Sequence, residues 1–401
     1  MRVLVANVGS TSFKYQLLDM STEAVLARGG MERIGAALSP MKHAVPGVCE
    51  VEKELPLPDH NAAVRATLDE LTSPAHPALE SLDQVDAVGF KTVHAGKLSG
   101  VTLLTDEVMA AMEEYSPVTP GHNPPYLNAI RIFQQVLPST PLVGVFEPHF
   151  HVTMPEKARV YGIPYEWTQQ YGLFRYGFHG ASHRYLSLRV PEILGVPGER
   201  LKLISCHLGG SSSICALDGG KSIDTSMGFS AQSGVQMGTR TGDLDPFILP
   251  FLLDKTDMTL TDITTGLVKQ GGLAGISGVG ADMRDLEAAA DAGNARAQLA
   301  IDVYVYGIKK YIGAYVAALN GLDALVFAGG IGEKGARIRA AVCADMDYLG
   351  LELNPVKNEQ CFAQEAVISR DSSRVKVLVV PANEELIVAR ETARLVAELP
   401  K

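Results

Sequence analysis

Cysteine is scarce in this 401-residue sequence, and its few cysteines form no recognisable pair. Five are present, an odd number, and no C-x-x-C motif occurs among them. This pattern argues against a disulfide framework and against a structural zinc site. Cys206 and Cys215 lie in apolar, strand-like segments, so we expect both to be unreactive residues of the packed interior.

Long apolar runs and an excess of basic charge are also lacking. No segment approaches the roughly 20 apolar residues that a helix needs to cross a bilayer. Residues 1–10, MRVLVANVGS, carry one basic residue and an apolar core too short for a secretory signal, so we expect a cytoplasmic protein. The formal net charge of −10 argues against a nucleic-acid partner, because no basic stripe is present to displace counterions.

What the sequence does contain is one hairpin pattern that occurs twice. Residues 3–19, VLVANVGSTSFKYQLLD, and residues 203–218, LISCHLGGSSSICALD, each join two apolar strands through a glycine and a hydroxyl-rich tip. A constant offset of 200 residues aligns Gly9 with Gly209, Ser12 with Ser212, and Leu17 with Leu217. The repeat indicates two halves of similar design, which suits a chain of this length.

The two hairpin tips have the composition of phosphate-binding loops. Small residues let a phosphate approach closely, and backbone N–H groups and hydroxyls can donate to it. Two such loops facing one another would form a phosphate clamp. Each loop alone also fits an ordinary polar turn, so the functional reading depends on the pair.

The rest of the chain alternates between strand and helix patterns. Residues 86–96, 141–147 and 324–330 read as buried strands, and residues 128–137 and 297–319 read as helices. This alternation predicts an α/β fold whose sheets are mainly parallel and covered on both faces. Ligands of such folds bind beyond the carboxyl ends of the strands.

Two familiar nucleotide-binding motifs are only partly matched. Residues 219–222, GGKS, resemble the end of a Walker A loop, but Cys215 stands where its first glycine is required. Residues 330–335, GIGEKG, satisfy G-x-G-x-x-G, although Asp347 does not end a convincing second strand. We interpret this segment as a glycine-rich turn that opens a helix and that could still receive a nucleotide.

Histidine and arginine supply the first candidates for chemistry. His179 and His183 lie four residues apart with Gly180 between them and no carboxylate nearby. This favours a catalytic or charge-stabilising histidine over a metal site, with a structural histidine as the alternative. Arg240 lies among Gly and Thr in a loop-like segment, where it can grip a carboxylate or phosphate or simply lie on the surface.

Acidic residues at two predicted helix starts are weaker candidates. Asp282 suits the N-cap of a helix, which is a sufficient structural reason for it, so Asp282 and Arg284 are weaker candidates by chemistry alone. Glu384 and Glu385 open the last predicted helix, where they suit the helix dipole. One of them could also help to hold Mg²⁺ through water.

Taken together, these segments resemble the acetate kinase family across essentially the whole chain. The matching segments, in order, are NVGSTSFK, HNPP, YGFHGASH, CHLGG, DTSMGF, GTRTGDLDP, ADMRDL, AGGIGE and NEEL. The resemblance implies an α/β fold of duplicated ribonuclease H-like (actin-like ATPase) domains, with mixed sheets flanked by helices and a nucleotide cleft between the domains. The implied domains are residues 1–149 plus 383–401, and residues 150–382, which carry the adenosine site.

The resemblance also implies an activity. It indicates reversible, ATP-dependent phosphorylation of a short-chain carboxylate, acetate before others, by direct in-line transfer that gives an acyl phosphate and ADP. Mg²⁺, ATP or ADP, and a homodimer are implied with it. Nothing in the resemblance implies a nucleic-acid or membrane partner.

Site residues follow from the resemblance position by position. The implied catalytic residues are His179, Arg240, Glu147 and Lys91. Acid binding is implied for Lys91, Val93, Gly121, Phe178 and Ala231. Nucleotide binding is implied for Ser10, Ser12, Lys14, Gly209, Gly210, Asp282, Met283, Arg284, Gly330 and Ile331. Metal binding is implied for Asn7 and Glu384.

Departures from the family pattern concentrate around the acid. Lys91 replaces an Arg, Glu147 an Asp, Gly121 a Leu and Ala231 a Pro. Lysine offers a point charge where an arginine fork would hold two oxygens. We therefore hypothesise a divergent member. Its acid would be larger than acetate, such as propionate, butyrate or a substituted acid, or its acetate activity would be weak. A nucleotide-binding regulator with little catalysis is the further alternative.

Overall fold

The computed structural model describes residues 1–399, so residues 400 and 401 of the predicted first domain lie outside the described residues. Contacts between residues divide the chain into two units. One unit comprises Met1–His149 and the chain from Asn383 onward, and the other comprises Phe150–Ala382. Within residues 1–399, no helix is both long and apolar enough to cross a membrane.

Each unit is built on one mixed sheet. The strands of the first unit are β1 (Arg2–Val8), β2 (Phe13–Asp19), β3 (Ala24–Met31), β4 (Ser39–Val45), β5 (Cys49–Leu55), β6 (Ala87–Phe90), β7 (Val101–Leu103) and β8 (Leu142–Val145). Those of the second unit are β9 (Lys202–Leu208), β10 (Ser212–Asp218), β11 (Lys221–Thr225), β12 (Ala324–Ala328), β13 (Ala366–Val367) and β14 (Lys376–Val379).

Helices follow in chain order, and the last one returns to the first unit. The first unit begins with α1 (His60–Leu71), α2 (Asp106–Glu114) and α3 (Asn123–Val136). The second unit contains α4 (Glu156–Arg159), α5 (Tyr165–Tyr171), α6 (Gly180–Leu194), α7 (Ile248–Lys255), α8 (Leu260–Lys269), α9 (Gly272–Ser277), α10 (Met283–Asp291), α11 (Ala295–Leu319), α12 (Gly329–Lys334), α13 (Ala336–Cys343) and α14 (Pro355–Gln360). The final helix, α15 (Glu384–Ala397), packs against β1, β6 and β8. Short 3₁₀ helices lie at Leu82–Gln84, Gly96–Leu98, Glu147–Thr153, Gly198–Arg200 and Asp347–Leu349.

The two sheets share a five-stranded arrangement. Its order is β3-β2-β1-β6-β8 in the first sheet and β11-β10-β9-β12-β14 in the second. In both sheets the hairpin pairs are antiparallel and the last two pairings are parallel. The repeated design predicted from the two hairpins is confirmed.

The expectation of mainly parallel sheets is wrong. Only two pairings in each sheet are parallel. The reason is that strands joined by a short hairpin loop must run antiparallel, whereas a parallel neighbour needs a long crossover. In each sheet, the strands joined by hairpins therefore form an antiparallel group on one side of the three parallel strands.

The offset in residue number between equivalent positions of the two hairpins changes by one at the tip. Before the tip, Asn7 and His207 hold equivalent places. Beyond it, Asn7 pairs with Lys14 and His207 pairs with Ser213. The second loop is therefore one residue shorter than the first, and the predicted constant offset of 200 residues is wrong beyond the tip.

A β-bulge supports this corrected alignment. It lies between Leu17 and Leu18 where β2 pairs with β3, and between Ala216 and Leu217 where β10 pairs with β11. The counterpart of Ser12 is consequently Ser211, not Ser212. The backbone agrees, because the glycine N–H that closes each loop donates to the carbonyl of the same serine, at 2.8 Å in the first loop and 3.1 Å in the second.

Helix bounds differ from the sequence prediction in ways that local chemistry explains. The helix predicted at 128–137 begins at Asn123, because the two prolines of HNPP occupy its first turn, where their missing N–H costs nothing. The helix predicted at 297–319 begins two residues earlier, where the Asn294 side chain caps two backbone N–H groups. The strand predicted at 324–330 ends at Ala328, and α12 begins at Gly329. This confirms the glycine-rich turn that opens a helix.

The core of the second unit forms where α11 covers the sheet. Cys206 is fully buried in this core, and Cys215 is fully buried in the smaller cluster on the opposite face of the sheet. Burial raises the pKa of both thiols, so the prediction of unreactive packing residues is confirmed.

Candidate functional site

In the first unit, candidate residues gather at the carboxyl ends of three neighbouring parallel strands. Asn7 is the last residue but one of β1, Lys91 follows β6 directly, and Glu147 lies two residues beyond β8. Because β1, β6 and β8 are parallel neighbours, these residues share one edge of the sheet. Glu384 reaches them as the first residue of α15.

Lys91 joins two carboxylates into one charged group. Its Nζ hydrogen-bonds to Glu384 Oε2 and lies 3.5 Å from Glu147 Oε1. Burial lowers the pKa of Lys91, but the nearby Glu384 and Glu147 carboxylates outweigh it and hold that pKa well above its ordinary value. The lysine therefore stays cationic, and one positive charge faces two negative charges.

The tip of the first hairpin is braced from α1. The Gly9 N–H donates to the Ser12 carbonyl at 2.8 Å, and the Gly9 carbonyl accepts from His60 Nε2 at 2.9 Å. An added Cβ at Gly9 would lie 2.4 Å from Ser12 Oγ, so a side chain there would displace the serine. Ser10 and Lys14 are exposed.

Asn7 is oriented by a tyrosine. Tyr126 Oη accepts from the Val8 N–H at 3.1 Å and donates to Asn7 Oδ1 at 3.3 Å. Burial raises the pKa of Tyr126, which keeps the phenol protonated as a donor. Sequence reasoning missed both Tyr126 and His60. HNPP, which immediately precedes Tyr126, was the only signal for it, and nothing in the sequence marks His60.

In the second unit, His179 is fixed on two sides. It precedes α6 with a left-handed backbone, φ 56°. Its Nδ1 lies 2.8 Å from Ser213 Oγ, and its ring stacks on His207 with ring centroids 4.2 Å apart. Since His207 and Ser213 pair across the second hairpin, the hairpin itself positions His179.

His183, which is fully buried, hydrogen-bonds to the same Ser213 hydroxyl. Its Nε2 lies 2.8 Å from Ser213 Oγ, and its Nδ1 hydrogen-bonds to Ser205. Burial, together with His151 and His207, lowers the pKa of His183 well below its ordinary value. The i, i+4 pair therefore shares a hydroxyl, and within residues 1–399 neither histidine belongs to a group of three potential metal ligands.

Arg240 is a half-buried cation attached to the second loop. Its Nη1 donates to Ser211 Oγ at 3.0 Å and to the Ala231 carbonyl at 3.1 Å. Burial lowers the pKa of the guanidinium. No carboxylate within residues 1–399 pairs with it, so this half-buried cation has no carboxylate counter-charge among the described residues.

The predicted phosphate-side glycines of the second unit lie close together. An added Cβ at Gly209 would lie 3.9 Å from the Gly330 nitrogen, and the Gly210 carbonyl accepts from the Gly238 N–H at 3.0 Å. Gly210 and Gly330 are exposed. The Ile331 side chain is half-buried and packs against the core. Its neighbour Gly330 has no side chain, so Gly330 offers only its backbone to solvent.

The residues predicted for adenosine lie at the start of α10. Asp282 caps the helix, and the Arg284 guanidinium donates to both of its carboxylate oxygens, at 3.0 and 2.6 Å. These hydrogen bonds lower the pKa of Asp282 to about 2. Met283 is only 6% exposed and belongs to the core, so mainly its backbone is open to a ligand.

The residues predicted to hold the acid are distributed over both units. Val93 and Phe178 are buried, whereas Gly121 is exposed and an added Cβ there would meet nothing within 4 Å. Ala231 is half-buried and is the one whose carbonyl binds Arg240. The structure thus joins Ala231 to the candidate catalytic cation and leaves open space at Gly121.

Comparisons with known proteins identify the family and the fold of this chain. Residues 2–390 match the model of the Acetokinase family. The acetate kinase of Carboxydothermus hydrogenoformans is 47% identical over 397 residues, which is 99% of each chain. Two crystal structures each cover 98% of this chain and 99% of their own, with a TM-score of 0.89. They are an acetate kinase from Porphyromonas gingivalis at 42% identity and a propionate kinase from Francisella tularensis at 35% identity.

These matches extend over the whole α/β architecture described above, not over one motif. They confirm the predicted fold class of two similar, mixed-sheet, actin-like ATPase halves. Family profile and full-length relatives point to one assignment. This chain belongs to the acetokinase family.

Proposed function

We propose that this protein is a kinase that transfers the γ-phosphoryl group of ATP to a short-chain carboxylate, with acetate as the first candidate. The reaction gives an acyl phosphate and ADP and is reversible. The observation that carries the proposal is Arg240, a half-buried guanidinium on the second hairpin loop with no carboxylate partner within residues 1–399. Such a cation fits an anion that carries either a carboxylate or a phosphoryl group.

Phosphoryl transfer to a carboxylate requires stabilisation of negative charge and does not require a general base. A carboxylic acid with a pKa near 4 is already ionised at neutral pH, so the nucleophile needs no proton removed. The obstacle is repulsion between the carboxylate and the phosphates, together with the charge spread over the transferring group. Positioned cations and hydrogen-bond donors meet that need, as is general for phosphoryl transfer.

Three side chains take these roles in the proposal. Arg240 neutralises and aims the acid and the transferring group. His179, held through Nδ1 and by stacking on His207, donates to a phosphoryl oxygen. Lys91 has three N–H donors; two face Glu384 and Glu147, which leaves one for an acid oxygen.

Magnesium is part of the proposal, and the donor set of the first unit fits it. Asn7, Glu147 and Glu384 offer an amide oxygen and carboxylate oxygens, the hard ligands that Mg²⁺ prefers. Both carboxylates lie against the Lys91 ammonium, so their anionic oxygens are gathered at one place. When bound, Mg²⁺ supplies charge neutralisation at the phosphates.

Nucleotide binding in the proposal uses backbone and small side chains. Ser10, Ser12 and Lys14 of the first loop contact the phosphates. Residues of the second unit that bind the nucleotide are Gly209, Gly210, Asp282, Met283, Arg284, Gly330 and Ile331. The acid's apolar part contacts Val93, Gly121, Phe178 and Ala231.

A homodimer in the cytoplasm completes the proposal. Its support is the family resemblance and an apolar surface on and next to α7, where Phe247 and Phe251 are 77% and 61% exposed. Exposed apolar surface of this kind is typical of interaction sites. Light scattering after gel filtration measures the mass, and a monomer at working concentration would contradict the dimer.

The activity is tested by ATP-dependent acyl-hydroxamate formation over a panel of short carboxylates. We expect product with acetate that requires Mg²⁺ and is lost in Arg240→Ala. Absence of product with every acid, from a protein that still binds ATP, would sink the kinase proposal and favour the regulator.

A larger acid is the second candidate, and one position favours it. Gly121 leaves open space where an added Cβ would meet nothing within 4 Å. A propionate kinase is also among the similar structures. In the same panel, more product with propionate or butyrate than with acetate would select this candidate.

A further inference from the structure

Three potential metal ligands meet in the first unit, and none of them is among the residues predicted for the candidate site. They are His43 on β4, Glu70 near the end of α1, and His76 in the loop that follows, and we refer to them as the His43 cluster. One ligand atom from each lies within 4.8 Å of the other two. It is the only such group of three found within residues 1–399.

A glycine allows His43 to be held from the neighbouring strands. Tyr15, Gly29 and His43 lie opposite one another on β2, β3 and β4. Because Gly29 has no side chain, the Tyr15 hydroxyl crosses above it to lie 2.6 Å from His43 Nδ1. An added Cβ at Gly29 would lie 2.5 Å from that hydroxyl, so the glycine is needed for this contact.

The other ring nitrogen of His43 is an orphan. The side chain is only 1% exposed, and Nε2 has no hydrogen-bond partner within residues 1–399. Buried polar atoms without a partner are rare and costly. If Nδ1–H donates to Tyr15, Nε2 keeps a lone pair that is available to a cation. The tyrosine then acts as the outer partner that metal-binding histidines commonly have.

Glu70 completes the group as a carboxylate. Its Oε2 accepts from His76 Nε2 at 3.1 Å, and its Oε1 pairs with Lys53 on β5. Burial raises the pKa of Glu70, but hydrogen bonds from Lys53 and His76 outweigh it and leave that pKa lowered. Lys53 can stay on Oε1 while Oε2 binds a metal.

We propose that His43, Glu70 and His76 bind a divalent transition metal, with zinc as the best fit. Two imidazole nitrogens and one carboxylate oxygen form a familiar zinc ligand set with a fourth position left for water. Bonds of about 2.0–2.2 Å place tetrahedral ligand atoms roughly 3.3 Å apart, which the His76–Glu70 pair already approaches. Magnesium is disfavoured because it prefers six oxygen ligands.

The site would fix α1 at the end opposite the first hairpin loop. His60, the first residue of α1, donates to the Gly9 carbonyl, and Glu70 lies at the helix's other end. A metal would therefore clamp the helix that braces this loop. The metal site itself does not depend on the proposed kinase function.

Cobalt replaces zinc as a spectroscopic probe in the test. Full-length protein is freed of metal with a chelator and titrated with Co²⁺ without nucleotide or Mg²⁺. We expect one Co²⁺ per chain, visible absorption of the intensity that four-coordinate cobalt shows, and its loss when Zn²⁺ is added. His76→Gln should weaken binding by about 100-fold or more, beyond the 10–100-fold typical for loss of an outer partner.

Two variants make the assignment specific. Cys49→Ser removes the one cysteine that is not buried and should leave the spectrum unchanged. His76→Cys should keep a metal ligand and add a sulfur-to-cobalt charge-transfer band, which tests the position even if the glutamine variant folds poorly. No four-coordinate spectrum in the parent protein, or a spectrum that survives His76→Gln or vanishes in Cys49→Ser, would overturn the proposal.

Discussion

Arg240 Nη1 donates to Ser211 Oγ at 3.0 Å, which attaches the candidate catalytic cation to the tip of the second hairpin. Ser211 is the structural counterpart of Ser12 in the first hairpin. The two halves therefore use equivalent serines at equivalent tips, and in the second half that serine also positions a guanidinium.

Replacing Arg240 with alanine should remove charge stabilisation that matters in the transition state. We expect kcat to fall by about 10³-fold, the lower range for loss of such an arginine in phosphoryl transfer, with the Kd for ATP changed less than about threefold. Steady-state kinetics and calorimetry measure the two quantities. An equally large loss of ATP affinity would show that Arg240 binds the nucleotide instead.

Ser211→Ala is the matched control for this variant. It removes the hydroxyl that accepts from Arg240 but keeps the cation and the Ala231 carbonyl contact. Loss of one neutral partner costs about 1 kcal/mol, so we expect kcat to fall by less than about tenfold.

Glu384→Gln tests the proposed magnesium ligands. Removal of one carboxylate takes one negative charge away from the group around Lys91 and Glu147, which then attracts a cation less. We expect the Mg²⁺ concentration for half-maximal activity to rise by about tenfold, as expected when about 1.4 kcal/mol of interaction is lost. Glu385→Gln, at the next residue of α15, is the control and should change that concentration by less than about twofold.

The sequence predicted features whose partners are close along the chain. Each repeated hairpin is a local pattern of alternating apolar residues around a polar tip, so its two strands and its loop could be read directly. The parallel neighbours of β1 and β9 could not be ordered in this way, because their partners are joined through long crossovers. The sequence also did not reveal that the second loop is shorter. Hydroxyl-rich tips of three and four residues look alike until the pairing of the strands is known.

The candidate site was predictable where a family motif marked it and not elsewhere. Asn7, His179 and Arg240 lie within motifs, whereas Tyr126 and His60 act through contacts that span over 50 residues of chain. The His43 cluster was hidden for the same reason. His43 and Glu70 lie on a strand and a helix with no spacing pattern, and only the folded sheet brings them together.

Stability of the second unit should fall as pH drops below neutrality because of His151. This buried histidine bonds to Ser222 and to the Phe178 carbonyl as a neutral ring, and burial lowers its pKa to about 4. An unfolded histidine has a pKa near 6.5, so the unfolded state binds more protons between these values. His151 thus contributes stability above about pH 6.5 and loses it as pH falls toward 4, which removes about 2 kcal/mol between about pH 7 and pH 5.

Urea denaturation at the two pH values measures this effect. His151→Gln keeps a donor for the Phe178 carbonyl and removes the titration. The variant should be less stable at neutral pH. The change in its free energy of unfolding between the two pH values should be smaller than that of the parent protein by about 2 kcal/mol. Equal pH slopes in the two proteins would rule out His151 as their source.

Gly121→Leu tests whether this position sets the size of the acid. An added side chain enters open space, since a Cβ would meet nothing within 4 Å, so the fold should tolerate it. If the acid's apolar end lies at Gly121, leucine narrows that space and penalises the longer acid. One methylene in an apolar pocket is worth about 10–200-fold, so we expect kcat/KM for propionate relative to acetate to fall by at least about tenfold. Gly121→Ser is the matched control, because a short side chain should change that ratio by less than about threefold. An unchanged ratio in Gly121→Leu, with activity retained, would place the acid away from Gly121.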